Sequence, residues 1–471
     1  MSVDLKVVSG NRHSIQWDED LIRRYDTAGP RYTSYPTANH FHEEFGEAEY
    51  RAACEQSNTQ RRPLSLYFHL PFCNTVCYYC ACNKIITGDR SRSRDYLDVM
   101  KEEIRLQSAL FAETRPVTQL HWGGGTPTFF TPAELTELMH HIARHFRLLG
   151  DDRGEYSIEI DPRTVDTGMV GLLRKLGFNR LSLGVQDFDP TVQRAVNRIQ
   201  SSEQVRNVTD VARGLGFKSI SYDLIYGLPH QTVDTFRATL DKVVDLLPDR
   251  ISVYSYAHLP ARFKTQRQID EAALPPPQEK LRILEETIRH LLDAGYVYIG
   301  MDHFARPDDE LALALSRGDL QRNFQGYSTQ RGADLVGIGL SSISQIGDSF
   351  AQNAKAVTEY SAAINSGRLS VDRGLTLSAD DKVRRDVIMD IACRGRVLFS
   401  DVEGAHGIRF ERYFAAELER LQSMQEDGLV EISPQKITVL PRGRLLLRSI
   451  CMVFDIYLRK GGKIPTFSRV I

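Results

Sequence analysis

Four of the seven cysteines, Cys73, Cys77, Cys80 and Cys82, crowd into FHLPFCNTVCYYCACNKI (68–85), spaced C-x3-C-x2-C-x-C. Clustered thiols in a chain with no sign of secretion point to metal or redox chemistry more than to disulfides. A [4Fe–4S] cube has four irons, each normally taking one thiolate. Three cysteines on one loop can hold three corners and leave the fourth iron for a small chelating ligand, as open catalytic metal sites do. Zinc knuckles also cluster cysteines, but they usually draw a second Cys or His pair from elsewhere, and this sequence has none so arranged.

Other segments carry chemistry of their own. HWGGGTP (121–127) sits between a strand pattern and a helix pattern. Its glycines let backbone approach a ligand and turn N–H groups toward a carboxylate, although a tight turn closed by Pro127 explains them equally. Glu159 stands between Ile158 and Ile160 near the end of a strand pattern. An acid there suggests ligand contact, with a partnered structural carboxylate as the alternative. Gln186 and Asp223 end the next strand patterns in the same way.

The elements that must position these residues alternate. Strand patterns cover 64–70, 118–124, 156–162, 181–187, 219–228, 251–259, 296–304 and 335–342. Several are apolar at nearly every position, as strands covered on both faces tend to be. TPAELTELMHHIARHF, EQVRNVTDVARGLGF and QEKLRILEETIRHLLDAG are helical patterns between them; the first has Thr131 as N-cap candidate and Glu134 three residues on. Strand–helix units in series predict an α/β fold, a partial or full TIM-like (β/α) barrel of parallel strands, with a doubly wound sheet as rival. Residues 1–55 read as an N-terminal arm and 56–372 as the barrel. Residues 373–471 read as a small, mostly helical α+β domain of winged-helix type. Of the 471 residues 42 % are hydrophobic and 25 % charged, and the net charge is −2, so nothing favours nucleic acid or acidic membranes as partners. With no leader pattern and no apolar run of membrane-spanning length, a cytoplasmic address is expected.

C-x3-C-x-aromatic-C, here Cys73, Cys77, Tyr79 and Cys80, resembles the signature of the radical S-adenosylmethionine (SAM) enzymes. The resemblance extends along the chain: GPRYTSYPTA, CACNK, HWGGGTPT, EIDPR, GVQDF, DLIYGLP, YAHLP, GMDHFARPDDELA, RNFQGY and the final FSRVI together resemble the oxygen-independent coproporphyrinogen III oxidases of haem biosynthesis. By that resemblance Cys73, Cys77 and Cys80 ligate a [4Fe–4S] cluster, and Cys82 does not; a buried packing cysteine is its other reading. The resemblance also implies two bound SAM molecules. Tyr67, Gly124, Glu159 and Ile343 would serve the one on the cluster, while Tyr79, Gly125, Thr126, Gln186, Arg198, Asp223 and Ala257 would serve the second.

The chemistry implied by the family is a radical decarboxylation. The cluster-derived deoxyadenosyl radical abstracts hydrogen from a propionate of coproporphyrinogen III. Loss of an electron and of CO2 on each of two rings then gives protoporphyrinogen IX. Tyr32 and Cys82 are the catalytic candidates, and Arg31, Arg306 and Arg322 are candidates for the substrate's propionates. A reduced flavodoxin- or ferredoxin-type donor and a monomeric state are implied. The competing reading is a haem-binding chaperone, or a haem-modifying relative of the same superfamily. Cys82 and the GPRYTSYPT arm favour the oxidase.

Overall fold

The computed structural model describes residues 3–5, 14–330, 332–459 and 469. Phe467, Ser468, Val470 and Ile471 of the terminal FSRVI therefore lie outside the described residues. The chain divides into two compact units interleaved in sequence: residues 41–276 with 332–376, and residues 1–40 with 277–331 and 377–471.

The first unit is built on parallel strands: β1 (Leu64–Leu70), β2 (Pro116–Gly124), β3 (Glu155–Ile160), β4 (Arg180–Gln186), β5 (Ser219–Tyr226), β6 (Arg250–Ser255) and β7 (Asp334–Ile338). They pair in the order β7-β1-β2-β3-β4-β5-β6, every neighbour parallel. An antiparallel meander, β8 (Ile343–Ile346), β9 (Ser349–Asn353) and β10 (Val371–Thr376), continues from β7. Consecutive strands lying side by side, joined by right-handed crossovers, put their helices on one side of the sheet. That is a barrel's arrangement and not a doubly wound one. No pairing of β6 with β7 closes the ring among the described residues, so the barrel is partial.

The crossover helices form for legible reasons. In α1 (Ser91–Ser108) and α2 (Pro132–His145) apolar side chains return every three or four residues, and Leu135, Leu138, Met139 and Ile142 of α2 are buried. Each contributes ~1.5–3 kcal/mol by leaving water. Thr131 caps α2, accepting from the Glu134 N–H, and Glu134 accepts in return from the Thr131 N–H at 2.8 Å.

Strands β1 and β7 are buried at nearly every position, as the sequence pattern implied, but others are not. In β3 and β4 buried residues alternate with partly open ones: Tyr156, Ile158 and Ile160 against Ser157 and Glu159, then Leu181, Leu183 and Val185 against Ser182 and Gln186. In β3 and β4 only one face is packed. The other face carries polar side chains, so the period-two signal of a one-sided strand applies.

The second unit holds the remaining expected elements. Residues 296–304, read as one strand, instead make an antiparallel hairpin of Val297–Gly300 and His303–Ala305. Met301 at φ 50° and Asp302 make the reversal, which an apolar-run reading passes over. The C-terminal segment runs helix Ala379–Arg394, strand Arg396–Leu398, helices Phe399–His406 and Ala415–Glu426, then strands Val430–Ile432 and Lys436–Val439. The three strands form one antiparallel sheet, a winged-helix order. Its core includes Val387, Ile391, Phe410, Leu421 and Ile437, all fully buried. No helix among the described residues is long and apolar enough to cross a membrane.

Candidate active site

The cysteine loop leaves β1 and is pinned at several points. Phe72–Cys73 pairs in parallel with Ile85–Ile86, closing the loop on itself. Gly125 N donates to Leu70 O and Thr126 N to Phe72 O, each at 2.8 Å, so the glycine turn after β2 lies directly beneath the loop. The turn must be glycine twice over. Gly124 adopts φ +114°, and a Cβ on Gly125 would stand 2.5 Å from the Pro71 carbonyl carbon. On the other side, Asn197 Nδ2 donates to Val76 O at 2.8 Å and Tyr78 N to Val196 O at 3.0 Å. His69 ties the loop's end to β1: its Nε2 meets Asn83 O at 2.8 Å and its Nδ1 meets Tyr67 Oη at 3.1 Å.

All seven cysteines are free. Cys73 Sγ sits 3.4 Å from Thr126 Oγ1, and burial pushes its thiol up to about 11. Two guanidiniums point at Cys77 Sγ, Arg198 Nη1 at 3.5 Å and Arg163 Nη2 at 3.7 Å; both are steadied by Asp161, at 3.1 and 2.7 Å. Cys80 is drawn down to about 6, chiefly by its hydrogen bond with Cys82 and then, against the opposing effect of burial, by Lys84. Cys82 is exposed, which removes the reading of it as a buried packing residue.

Thiolates on one tetrahedral zinc, with Zn–S ~2.3 Å, lie about 3.8 Å apart. Among the described residues no three His, Cys, Asp or Glu side chains form a ready-made site for a single metal ion. A cube takes its thiolates on separate irons and is anionic, which suits cysteines on one loop with Arg163 and Arg198 beside Cys77 and Lys84 beside Cys80. The set fits a cluster better than a single ion.

Beyond the loop, the polar face of the sheet lines up. Tyr67, His121 and Ser157 are neighbours in register across β1, β2 and β3. The Tyr67 and His121 rings stack at 5.8 Å, and His121 Nδ1 meets Ser157 Oγ at 2.6 Å. Glu159 takes the Gly124 N–H at 3.1 Å and His121 Nε2 at 3.2 Å, yet 43 % of its side chain stays open. Burial pushes its carboxyl up, and the His121 bond and charge more than offset this, so it stays below the ordinary range. Glu103 shows what a structural carboxylate looks like: wholly buried, it is saturated by Gly339 N, Asn353 Nδ2 and Tyr360 Oη. Glu159 keeps capacity for a ligand.

Asp223, on β5 beside β4, takes Ser182 Oγ at 3.0 Å; burial, reinforced by the charge of Glu159, raises its carboxyl to about 6. Gln186 ends β4 at φ +66°, with a buried Oε1 that nothing among the described residues donates to. An orphaned acceptor in a strained backbone marks a place reserved for a donor. Gln266 Nε2 donates to both Tyr79 O and Ala257 O, at 3.1 and 3.2 Å, bringing those two together. Ile343 opens β8, with its carbonyl against Gly337.

The structure thus gathers Tyr67, the cysteines, Gly124, Gly125, Thr126, Glu159, Gln186, Arg198 and Asp223 within one unit. Tyr32, Arg31, Arg306 and Arg322 belong to the other. Tyr32 is fully buried there and donates to Asp455 Oδ2 at 2.9 Å. Arg31 lies 3.5 Å from Asp302, and Arg306 3.2 Å from Asp308. Sequence reasoning missed His69, His121, Asp161 and Arg163. The signal for His121 was present: it stands two residues before Gly123, on the same face of β2 as the chemistry.

A Radical SAM superfamily model matches residues 67–243, and a HemN C-terminal domain model matches 377–446. The chain is similar to oxygen-independent coproporphyrinogen III oxidases from Pseudomonas aeruginosa and Escherichia coli. The first is 53 % identical and the second 49 %, each over 97 % of this chain and 99 % of the relative. The solved structure described as "Coproporphyrinogen III oxidase (HemN) from Escherichia coli is a Radical SAM enzyme" superposes with a TM-score of 0.90. It is 48 % identical and covers 94 % of this chain and 99 % of that one. Identity of this order across nearly the whole of both chains settles the lineage: the chain belongs to the oxygen-independent coproporphyrinogen III oxidase family of radical SAM enzymes.

Proposed function

We infer that this enzyme oxidatively decarboxylates two propionate side chains of coproporphyrinogen III to vinyl groups, giving protoporphyrinogen IX in haem biosynthesis. The observation that carries the reading is the span of the similarity, which leaves almost none of the relatives' length unmatched. A [4Fe–4S] cluster with SAM supplies, when bound and reduced, a carbon radical able to take hydrogen from an unactivated C–H bond. The chain's own part is to hold, orient and exclude.

Cys73, Cys77 and Cys80 hold three irons, and Cys82 stays free of the cluster. Glu159 and the Gly124 turn receive the cluster-bound SAM, with Tyr67 and Ile343. Glu159 pairs with the ligand's cationic or hydroxyl groups, as its open, ionised carboxylate allows. Around a second SAM stand Tyr79, Gly125, Thr126, Gln186, Arg198, Asp223 and Ala257. The unpaired Gln186 Oε1 and the Asp223 carboxyl support this, since both can accept from a ribose or an ammonium group.

Tyr32 and Cys82 are the proposed proton- or hydrogen-handling residues, and propionates are met by Arg31, Arg306 and Arg322. The proposed functional divisions, an arm to about residue 55, a barrel to about 372 and a C-terminal domain, do not coincide with the two compact units. A reduced flavodoxin- or ferredoxin-type protein delivers the electron, and the enzyme acts as a cytoplasmic monomer.

The test is anaerobic. Reconstituted protein is given coproporphyrinogen III, SAM and a reductant, and CO2 and protoporphyrin(ogen) are measured. Neither product, with stoichiometric haem bound instead, would replace the oxidase by a carrier. Cys→Ser at 73, 77 or 80 should abolish the broad absorbance near ~400 nm typical of such clusters, while Cys82→Ser keeps it. Loss in all four would put Cys82 on the cluster.

A further inference from the structure

In the unit formed by residues 1–40, 277–331 and 377–471, the RNFQGY segment buries hydrogen-bond donors that nothing among the described residues accepts from. Gln321–Asn323 and Gly326–Ser328 form a short antiparallel hairpin. Arg322, on its first strand, is 9 % exposed, and its guanidinium lies 4.7 Å over the Tyr327 ring. Its Nε and Nη1 are buried without a partner, and so is the amide Nε2 of Gln325 at the turn. All three atoms are donors. The hairpin is otherwise well made: Asn323 Oδ1 accepts from Gln325 N at 2.8 Å, and Tyr327 Oη donates to Ala392 O at 3.0 Å.

An unpaired guanidinium away from water is costly, and proteins keep one only with an anion or a row of carbonyls. The other buried arginines of this unit obey. Arg384 pairs with Asp380 and Glu417, Arg448 donates to the Gly29 and Pro30 carbonyls, and Arg444 to those of Tyr298 and Ile299. Among the described residues Arg322 has no such partner. The groups whose charge it feels are neutral at pH 7, because burial pushes the Cys393 thiol up to about 12 and the Tyr327 phenol and Cys451 thiol higher still. Asp390, the acid that also acts on Cys393, is held by Arg394 at 2.9 Å.

We propose that Arg322 and Gln325 form a preorganised carboxylate site, and that a propionate of the tetrapyrrole substrate supplies the carboxylate. A carboxylate can take two parallel bonds from a guanidinium edge and a third from the amide, with the Tyr327 ring fixing the plane of the fork. The proposal rests on the decarboxylase reading of the whole enzyme. It singles out Arg322 from Arg31 and Arg306, each of which already has an aspartate within 3.5 Å.

Fluorescence titration of the reconstituted holoenzyme with coproporphyrin III, a stable oxidised form of the substrate, tests it. The probe's tetramethyl ester and SAM are run alongside. Arg322→Gln should weaken coproporphyrin binding about 10- to 100-fold, as loss of a charge-assisted fork does. Arg322→Lys should fall between, and Gln325→Leu should cost less. Affinity for the ester and for SAM should not move. Iron content should be unchanged, and melting of Arg322→Gln should match or exceed wild type, since an unpaired buried charge has been removed. Coproporphyrin affinity within twofold of wild type would overturn the proposal. A fall in SAM affinity instead would also overturn it, by making SAM the source of the carboxylate. Wild-type protein that neither binds nor converts coproporphyrinogen would sink the functional reading, an outcome separate from either.

Discussion

Gly125 lies where stability and cofactor retention meet, so Gly125→Ala is an informative perturbation. Its added methyl would stand 2.5 Å from Pro71 C, 2.6 Å from Pro71 O and 2.7 Å from Phe72 O, where ordinary contacts begin at 3.4 Å. All three atoms are backbone, so no rotamer relieves the clash, and the Pro71–Phe72 peptide must retreat by ~0.9 Å. Overpacking of this kind costs about 1–3 kcal/mol. The retreat also breaks the bonds from Gly125 N to Leu70 O and from Thr126 N to Phe72 O, worth about 1 kcal/mol each. The total of about 3–5 kcal/mol, at 1.4 per decade, disfavours the closed cysteine loop by two to three and a half orders of magnitude. The damage is local, so loop opening should precede global unfolding. Iron and sulfide per chain after anaerobic reconstitution, with limited proteolysis across 71–84, make the assay. Gly150→Ala is the control, because no atom lies within 4 Å of its Cβ position. If Gly125→Ala holds iron and resists protease as well as that control, the glycine turn does not clamp the loop and the reasoning fails.

Gln186→Gly should raise the melting temperature of the cluster-free protein, because it releases a φ of +66° worth about 1 kcal/mol or more and removes the orphaned Oε1; it should also weaken SAM binding by calorimetry. A lower melting point with unchanged SAM affinity would sink this. Asp223 is raised from 3.8 to about 6, so the native state holds a proton that the unfolded chain releases; wild type therefore loses stability as pH climbs from about 4 to 6, by at most ~3 kcal/mol. Asp223→Asn should remove that loss, so the melting difference between variant and wild type should grow across this window and then level, and a pH-independent difference would contradict it. Arg115 and Asp334, 1 % and 2 % exposed, form a buried pair; Arg115→Ala strands Asp334 and should cost about 3 kcal/mol in urea unfolding, near the low end because Arg62 lies 3.9 Å away. Arg115→Met with Asp334→Leu should recover most of the loss.

What the sequence made legible was local. β1 runs over the residues its apolar run marked, and Thr131 and Glu134 form the capping box their spacing implied. The three cysteines stood out because their chemistry depends on short spacing. What escaped depended on distant pairings. His121 and Glu159 are 38 positions apart, Cys77 meets an arginine 121 positions on, and nothing within a window of about twenty residues registers either contact. The hairpin at 297–305 escaped because two residues at positive φ, Gly300 and Met301, divide what hydropathy reads as continuous. The interleaving of the two units escaped for a related reason: residues 277–331 continue the strand–helix rhythm of the barrel, and rhythm does not say which core a segment joins.

The pleat of the sheet divides the labour of this chain. On the helix side of each strand Leu120, Trp122, Ile158, Leu183 and Leu224 are wholly buried and stabilise the fold. On the other side His121, Glu159, Ser182, Gln186 and Asp223 carry polar groups, and the buried Gln186 Oε1 has no partner among the described residues. A change on the helix side should act through stability, and one on the polar side through ligand affinity. The two mix where the strands end, because there the backbone itself becomes the ligand-facing surface. Gly124 and Gln186 take positive φ, Gly125 touches backbone, and Cys73 starts the loop. The same four places are the ones proposed above for the cofactors, and a strand's last residue is where a rigid, hydrogen-bonded chain can present an N–H or a side chain without a neighbour covering it.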